Sequence, residues 1–222
     1  MTRILRFSSF AVFCVCVALM VWVSTALFAL QLDESQLKAT AQREHGAQGV
    51  NNLEKWLDTL ATMQGAPEEQ QLEVINRFWN QIAVAGEDID IWGVEDYWAS
   101  PLETLGVGAA DCEDYVIGKY FSLIRLGVSP EKLRLVYVRA QVGGRSIAHM
   151  VLGYYPQPDA EPLILDNLSG LIRPASQRTD LTPVFSFNSE GVYVSGQAPR
   201  SVESIGRWRN LLEKMRREGF NP

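Results

Sequence analysis

Midway along the chain, Gly108-Ala109-Ala110-Asp111-Cys112-Glu113-Asp114-Tyr115 opens a helix that carries a cysteine on its first turn. Beyond Asp111 the apolar residues Val116, Ile117, Tyr120, Phe121 and Ile124 keep the one-face spacing of an amphipathic helix, and Gly127 with Pro130 ends it. Asp111 is the natural N-cap. This helix divides the chain into two kinds of pattern. Upstream, Leu53, Trp56, Leu57 and Leu60 recur at helical spacing, Gly65 and Pro67 interrupt, and Leu72, Ile75, Phe78, Trp79 and Ile82 form a second helical stripe. Downstream, Leu133 to Ala140 alternates as a strand, Gly143-Gly144 supplies a tight turn, and Ser146 to Tyr155 returns. A third strand runs from Leu163 to Asp166, and Val184 to Phe187 with Val192 to Val194 flanks a second hairpin turn. Helices followed by an antiparallel sheet predict an α+β fold. The closing stripe Val202, Ile205, Trp208, Leu211, Leu212 and Met215 is a further amphipathic helix with a basic outer face, expected to pack on the domain.

Length bounds the organisation. A chain of 222 residues with 47% hydrophobic content builds one domain with a sizeable core plus an appendage. The appendage is the uncharged run from Phe7 to Leu30, preceded by Arg3 and Arg6 and followed by Asp33 and Glu34. It reads as a signal peptide or membrane anchor over residues 1–30, leaving both outcomes open, and its charge asymmetry predicts export of the remainder, across the inner membrane if the source is bacterial. Residues 31–50 read as a spacer, or as a first helix continuing away from the membrane, with His45 as a solvated residue, and 51–222 as the domain. The formal charge is −6, and losing Arg3 and Arg6 makes it −8, which argues against nucleic acid as a partner. Trp56, Phe78 and Trp79 are expected in the core. The acidic, irregular stretch from Gly86 to Ala110 is expected to be a loop, either one wall of a cleft or a well-packed surface loop anchored by Trp92 and Trp98.

Beyond Leu30 the only cysteine is Cys112, so that part holds no internal disulfide, and a lone thiol in an oxidising compartment invites a chemical role. On the first turn of a helix, free backbone N–H groups and the dipole favour the thiolate. A buried, inert cysteine is the structural alternative. His149 lies on a strand whose two faces, Ile147/His149/Val151 and Ala148/Met150/Leu152, are both apolar, so the strand is central and the imidazole points inward. Asp166 ends the next strand, where a carboxylate can accept from the second imidazole nitrogen. Cys112, His149 and Asp166 thus offer a nucleophile, a base and an orienting group. The same three could ligate zinc, although their carboxylate-rich setting favours a hard cation. Asp111, Glu113 and Asp114 place three carboxylates within one turn. Like charge raises a thiol's pKa, and a calcium ion on these oxygens would reverse that field.

Asp111-Cys112-Glu113-Asp114-Tyr115 with Lys119-Tyr120-Phe121, then Ala148-His149-Met150-Val151-Leu152, then Leu165-Asp166-Asn167, resembles the bacterial transglutaminase-like cysteine proteinases, specifically the LapG family of periplasmic proteases. Asp96-Tyr97-Trp98-Ala99-Ser100-Pro101-Leu102-Glu103 is similar to that family too, while Ala110 stands where a glycine is usual. The likeness covers roughly Leu53 to Val194. It implies a papain-like, transglutaminase-like core with Cys112, His149 and Asp166 as catalytic triad, and calcium at Asp111, Glu113 and Asp114. It further implies cleavage of a large LapA-like surface adhesin near its N-terminus, next to a pair of alanines, which promotes biofilm dispersal. Control would come from an inner-membrane cyclic di-GMP receptor of the LapD type that sequesters the protease. Two readings stand beside this one: an acyl-transferring enzyme with the same triad, and a non-catalytic calcium-binding interaction module.

Overall fold

The computed structural model describes residues 30–194, 201–202 and 205–222. In chain order its elements are β1 (Gln31–Leu32), α1 (Glu34–Met63), α2 (Glu68–Ile82), β2 (Val84–Ala85), α3 (Asp88–Ile91), α4 (Pro101–Val107), β3 (Ala109–Ala110) and α5 (Cys112–Arg125). There follow β4 (Leu133–Val142), β5 (Arg145–Tyr154), β6 (Leu163–Leu165), β7 (Arg173–Pro174), β8 (Leu181–Phe187), β9 (Val192–Tyr193), α6 (Gly206–Glu218) and β10 (Phe220–Asn221). The expected α+β order, helices before an antiparallel sheet, is what forms.

One serine ties the helical layer together. The indole N–H groups of Trp56 and Trp79 both donate to Ser122 Oγ, at 2.8 and 2.9 Å, and the Ser122 hydroxyl donates to the Gly118 carbonyl at 2.6 Å. Both tryptophans are fully buried, so each combines a large apolar payload with a satisfied polar tip. A Cβ at Gly118 would lie 2.6 Å from the Trp79 ring, so α2 reaches α5 this closely only because position 118 is glycine. The aromatics of the two upstream helices are packing residues, as their spacing predicts.

The sheet has six strands in the order β7-β6-β5-β4-β8-β9, with every pairing antiparallel. Its helical face sets Leu133, Leu135, Met150, Leu152, Tyr154 and Leu165 against Val116, Tyr120 and Ile124 of α5. Each such side chain stabilises the fold by about 1.5–3 kcal/mol through removal from water. Its other face carries a smaller cluster of Val136, Val138, Val151 and Ile164. β5 is therefore covered on both faces over its second half, as its apolar alternation predicts. Pro183 in β8 sits opposite Val138, where the register with β4 shifts between Tyr137 and Val138, an irregularity that accommodates a residue without an N–H.

Three expectations need correction. Residues 31–50 take the helical alternative and are not a spacer, because β1 pairs with β10 and α1 begins at Glu34, burying Leu37 and Ala41 completely. The weak pattern there comes from a kink at Gly46 (φ 63°), which resets the buried face partway along. His45 is half-buried rather than solvated, its ring against Gly49 and Gly106. The stretch from Gly86 to Ala110 is not a bare loop. It contains α3, α4 and β3, with Ser100 and Glu103 forming a capping box at the start of α4. The run from Phe7, apart from Leu30, lies outside the described residues, and so does the choice between signal and anchor. Among the described residues no helix is long and apolar enough to cross a membrane.

Candidate active site

Cys112 is the first residue of α5, and Asp111 caps it, its carboxylate accepting the Asp114 N–H at 3.2 Å. The position is fixed from outside the helix by β3, which pairs in parallel with β2. The Cys112 thiol donates to Glu113 Oε2 at 3.0 Å. Burial pushes its pKa far up, the Glu113 and Asp111 carboxylates push it further, and only the Met150 backbone N–H aimed at the sulfur acts in the other direction. In this arrangement the thiol is held protonated, the reverse of what a helix N-terminus alone would do.

Across the cleft, His149 comes from β5 and Asp166 directly follows β6. His149 Nε2 lies 2.8 Å from Asp166 Oδ1, and both side chains are buried. With Nε2–H donating to the carboxylate, Nδ1 is the nitrogen left for proton transfer. Asp166 is held from three further sides. Its Oδ2 accepts from Arg178 at 2.7 Å, its Oδ1 accepts the Leu168 N–H at 3.0 Å, and its main-chain carbonyl accepts from Asn80 at 2.8 Å. Arg178 in turn reaches Asp180 through two hydrogen bonds of 3.0 and 2.8 Å. Burial alone would raise the Asp166 pKa, but His149 and Arg178 outweigh it and draw it down to about 2, so the carboxylate is ionised at working pH. Behind the site Lys119 of α5 is fully buried, its Nζ without a hydrogen-bond partner, and desolvation draws its pKa down to about 7 despite the nearby charge of Asp166.

Cys112 and His149 line one cleft of about 470 Å³ together with Asp88, Asp96, Asp111, Glu113, Tyr137 and Ala148. A group of carboxylates occupies its end. Ligand oxygens of Asp88, Asp111 and Asp114 all lie within 4.8 Å of one another, and Asp111, Cys112 and Glu113 form an adjoining group of the same span. Burial and the neighbouring carboxylates push the Asp111 pKa up to about 10, and Asp114 and Asp88 are raised as well, burial leading in each case. Asp114 Oδ1 accepts the Ala99 N–H at 2.8 Å and Asp88 Oδ2 accepts the Tyr97 N–H. The remaining oxygens, Asp88 Oδ1 and Asp114 Oδ2, are buried with no hydrogen-bond partner.

The profile of the bacterial transglutaminase-like cysteine proteinases matches residues 51–185. The chain belongs to that family. Among solved structures it is similar to LapG of Legionella pneumophila in the EGTA-treated form (37% identity, TM-score 0.72, 82% of this chain and 96% of that one). It is equally similar to the calcium-bound form (38% identity, TM-score 0.70, 82% of this chain and 98% of that one). Comparison with curated proteins gives no match.

For this proteinase, then, the structure brings His149 to Asp166, sets Cys112 on the same cleft, and gathers Asp111 with Asp114. Glu113 lies beside Asp111 but turns an oxygen to the thiol. Two residues escape the sequence reading. Asp88 joins the carboxylate group because the β2–β3 register, Ala85 against Ala110, carries the chain past Asp111 three residues later. Arg178 belongs to a short 3-10 turn's end after β7, far from any motif, and only its burial against Asp166 marks it. The carboxylates fit a calcium ion. Three hard anionic groups packed this closely repel one another, and two of their oxygens are buried and unpaired, which a divalent cation would satisfy and a bare protein does not.

Proposed function

We propose that this cysteine proteinase is a calcium-dependent periplasmic endopeptidase that cuts the N-terminal region of a large LapA-like surface adhesin, releasing it and promoting biofilm dispersal. Its inhibitor in this reading is an inner-membrane cyclic di-GMP receptor of the LapD type, acting by sequestration. The observation that carries the catalytic assignment is the buried His149–Asp166 pair on the cleft wall that also holds Cys112 at its helix start.

In the reaction, His149 Nδ1 takes the Cys112 proton as the sulfur attacks the scissile carbonyl, forming the S–C bond. The imidazolium then protonates the departing amine as the C–N bond breaks. Water, deprotonated by the same nitrogen, hydrolyses the thioester and returns the proton to sulfur. Asp166 fixes the ring tautomer and stabilises the imidazolium, and its own depressed pKa keeps it anionic while it does so. Asp88, Asp111 and Asp114 would hold calcium, with Glu113 adjoining. Bound there, the ion supplies positive charge that offsets the carboxylate field on Cys112. Export rests on Arg3 and Arg6 ahead of the apolar run.

The decisive experiment is mass spectrometry of candidate adhesin fragments incubated, with calcium, with wild type or Cys112→Ala. New termini only with wild type support the assignment. The same termini with both proteins would remove it.

A further inference from the structure

β5 is longer than its partner on one side, and the excess lies beside the cleft. β4 pairs with all of β5, from Val142 against Arg145 to Leu133 against Tyr154, whereas β6 pairs only with Leu152, Gly153 and Tyr154. Arg145 to Ala148 are exposed. On its β6 side the first half of β5 therefore has no neighbouring strand among the described residues.

Which main-chain groups face that open edge follows from the ladder. In an antiparallel pair, alternate residues of a strand direct their N–H and C=O groups to opposite neighbours. The two-residue turn at Gly143 and Gly144, both with positive φ (55° and 79°), makes Val142 and Arg145 a hydrogen-bonded pair, so the odd-numbered residues of β5 bond to β4. The Tyr155 N–H, which donates to the Lys132 carbonyl at 2.7 Å, continues that series. Even-numbered residues bond the other way. Leu152 and Tyr154 stand opposite Leu165 and Leu163 of β6. Met150, the next, directs its N–H at the Cys112 sulfur. Ala148 and Ser146 follow on the same edge, and among the described residues no hydrogen bond to their main-chain groups occurs. Ala148 also lines the cleft with Cys112 and His149.

We propose that the substrate adds to this edge as an extended strand, pairing its main chain with Ala148 and Ser146, and that this pairing carries the scissile carbonyl to Cys112. The proposal rests on the cysteine endopeptidase reading and adds how the peptide is held. At about 3.4 Å per residue, Ala148 and Ser146 lie about 7 and 14 Å from Met150 along the strand, so the edge grips roughly four substrate residues. The occupant is a polypeptide of relaxed side-chain preference, because main-chain groups do the binding. The cysteine sits at the end of the edge, so a segment paired there is already in register for attack.

The test compares alkylation of Cys112, in calcium, by iodoacetamide, by acetyl-alanyl chloromethyl ketone and by acetyl-trialanyl chloromethyl ketone. Wild type should react faster with the longer ketone. Ser146→Pro removes one outward N–H without touching the β4 ladder, a substitution that an edge position tolerates. It should lower the rate with the longer ketone by about three- to tenfold, leave iodoacetamide unchanged, and differ from Ser146→Ala, which should behave as wild type. Independently of any variant, N-methylation of the inner amides of the longer ketone should erase its advantage on the wild-type protein. An undiminished rate for both Ser146→Pro and the N-methylated ketone would overturn the edge-pairing proposal while leaving the proteinase reading intact. Absence of wild-type alkylation at Cys112 would remove both.

Discussion

Replacing Arg178 by Met tests whether the buried charge pair behind His149 holds the site together. Arg178 and Asp166 have side-chain exposures of 5% and 0%, so the 2.7 Å contact is desolvated and removing one partner strands the other. Breaking a buried pair in this way costs about 3–5 kcal/mol, a large share of the roughly 5–15 kcal/mol that holds a domain folded. The loss has a pH signature. Asp166 has a folded pKa depressed from 3.8 to about 2; at about 1.4 kcal/mol per pH unit this contributes about 2–3 kcal/mol, fully present above about pH 5 and roughly half gone by pH 3. A depressed folded pKa means stability that is present above the unfolded value and lost as pH falls through the folded one. Without the guanidinium the Asp166 pKa rises, so the variant forgoes part of this contribution at neutral pH and has less to lose in acid. Urea unfolding followed by tryptophan fluorescence should show a gap of about 3–5 kcal/mol between wild type and Arg178→Met at pH 7 that narrows at pH 3. A gap below about 1 kcal/mol at pH 7, or one equally wide at both pH values, would refute the reasoning.

The triad should behave as a unit: Cys112→Ala, His149→Ala and Asp166→Ala each remove nearly all peptide cleavage, and a double variant is hardly worse than a single, whereas additive losses would show independent roles. EGTA should abolish cleavage and excess calcium restore it, with magnesium a poor substitute. Calorimetry should find calcium binding weakened at least about tenfold in Asp88→Asn, since one of three anionic ligands is neutralised; unchanged affinity would exclude Asp88 from the ion's shell. Lys119, buried without a hydrogen-bond partner, has its folded pKa drawn from 10.5 down to about 7 by desolvation. The unfolded chain therefore binds more protons between those values, and wild-type stability should rise with pH from 7 to 10. In Lys119→Met that rise should be smaller, as read from urea midpoints, and an identical slope would show that Lys119 is charged in the fold.

The helix start at Asp111 and Cys112, the two-glycine hairpin and the central strand with apolar residues on both faces were all legible, because each is written in neighbouring residues. The His149–Asp166 approach was legible one step further out, since two adjacent strands fix where their ends lie. Residues 31–50 were legible only as one of two alternatives. α1 bends at Gly46, and the bend breaks the periodicity that would have announced a helix running from Glu34. Asp88 and Arg178 were invisible for a different reason. Asp88 opens the four-residue α3 and Arg178 ends a single 3-10 turn, both too short for a pattern to extend, and each reaches the site through a long-range constraint, the two-residue β2–β3 pairing in one case and the chain's return after β7 in the other. A sequence reveals a carboxylate beside a cysteine, but not a carboxylate twenty-four residues away that the fold delivers to the same spot.

Asp88 also changes how the acidic motif is understood. Were Glu113 and Asp114 present only to complement the dipole of α5, exposure would suit them, yet Asp114 is fully buried and Glu113 nearly so. Burying carboxylates around a nucleophile that must lose its proton works against catalysis, and the upward push on Cys112 is the direct expression of that conflict. Among the described residues Arg178 is committed to Asp166 and Asp180, Arg207 is paired with Asp96, and Lys119 is drawn toward neutrality by its own burial, so none of these three is free to resolve it. In the proposed reading a bound cation adds positive charge to that which the His149 imidazolium supplies. The chain matches calcium-bound and EGTA-treated LapG almost equally well, and in the proposed reading an ion held by Asp88, Asp111 and Asp114 acts on Cys112 through the local field, reversing the push of the carboxylates that surround it.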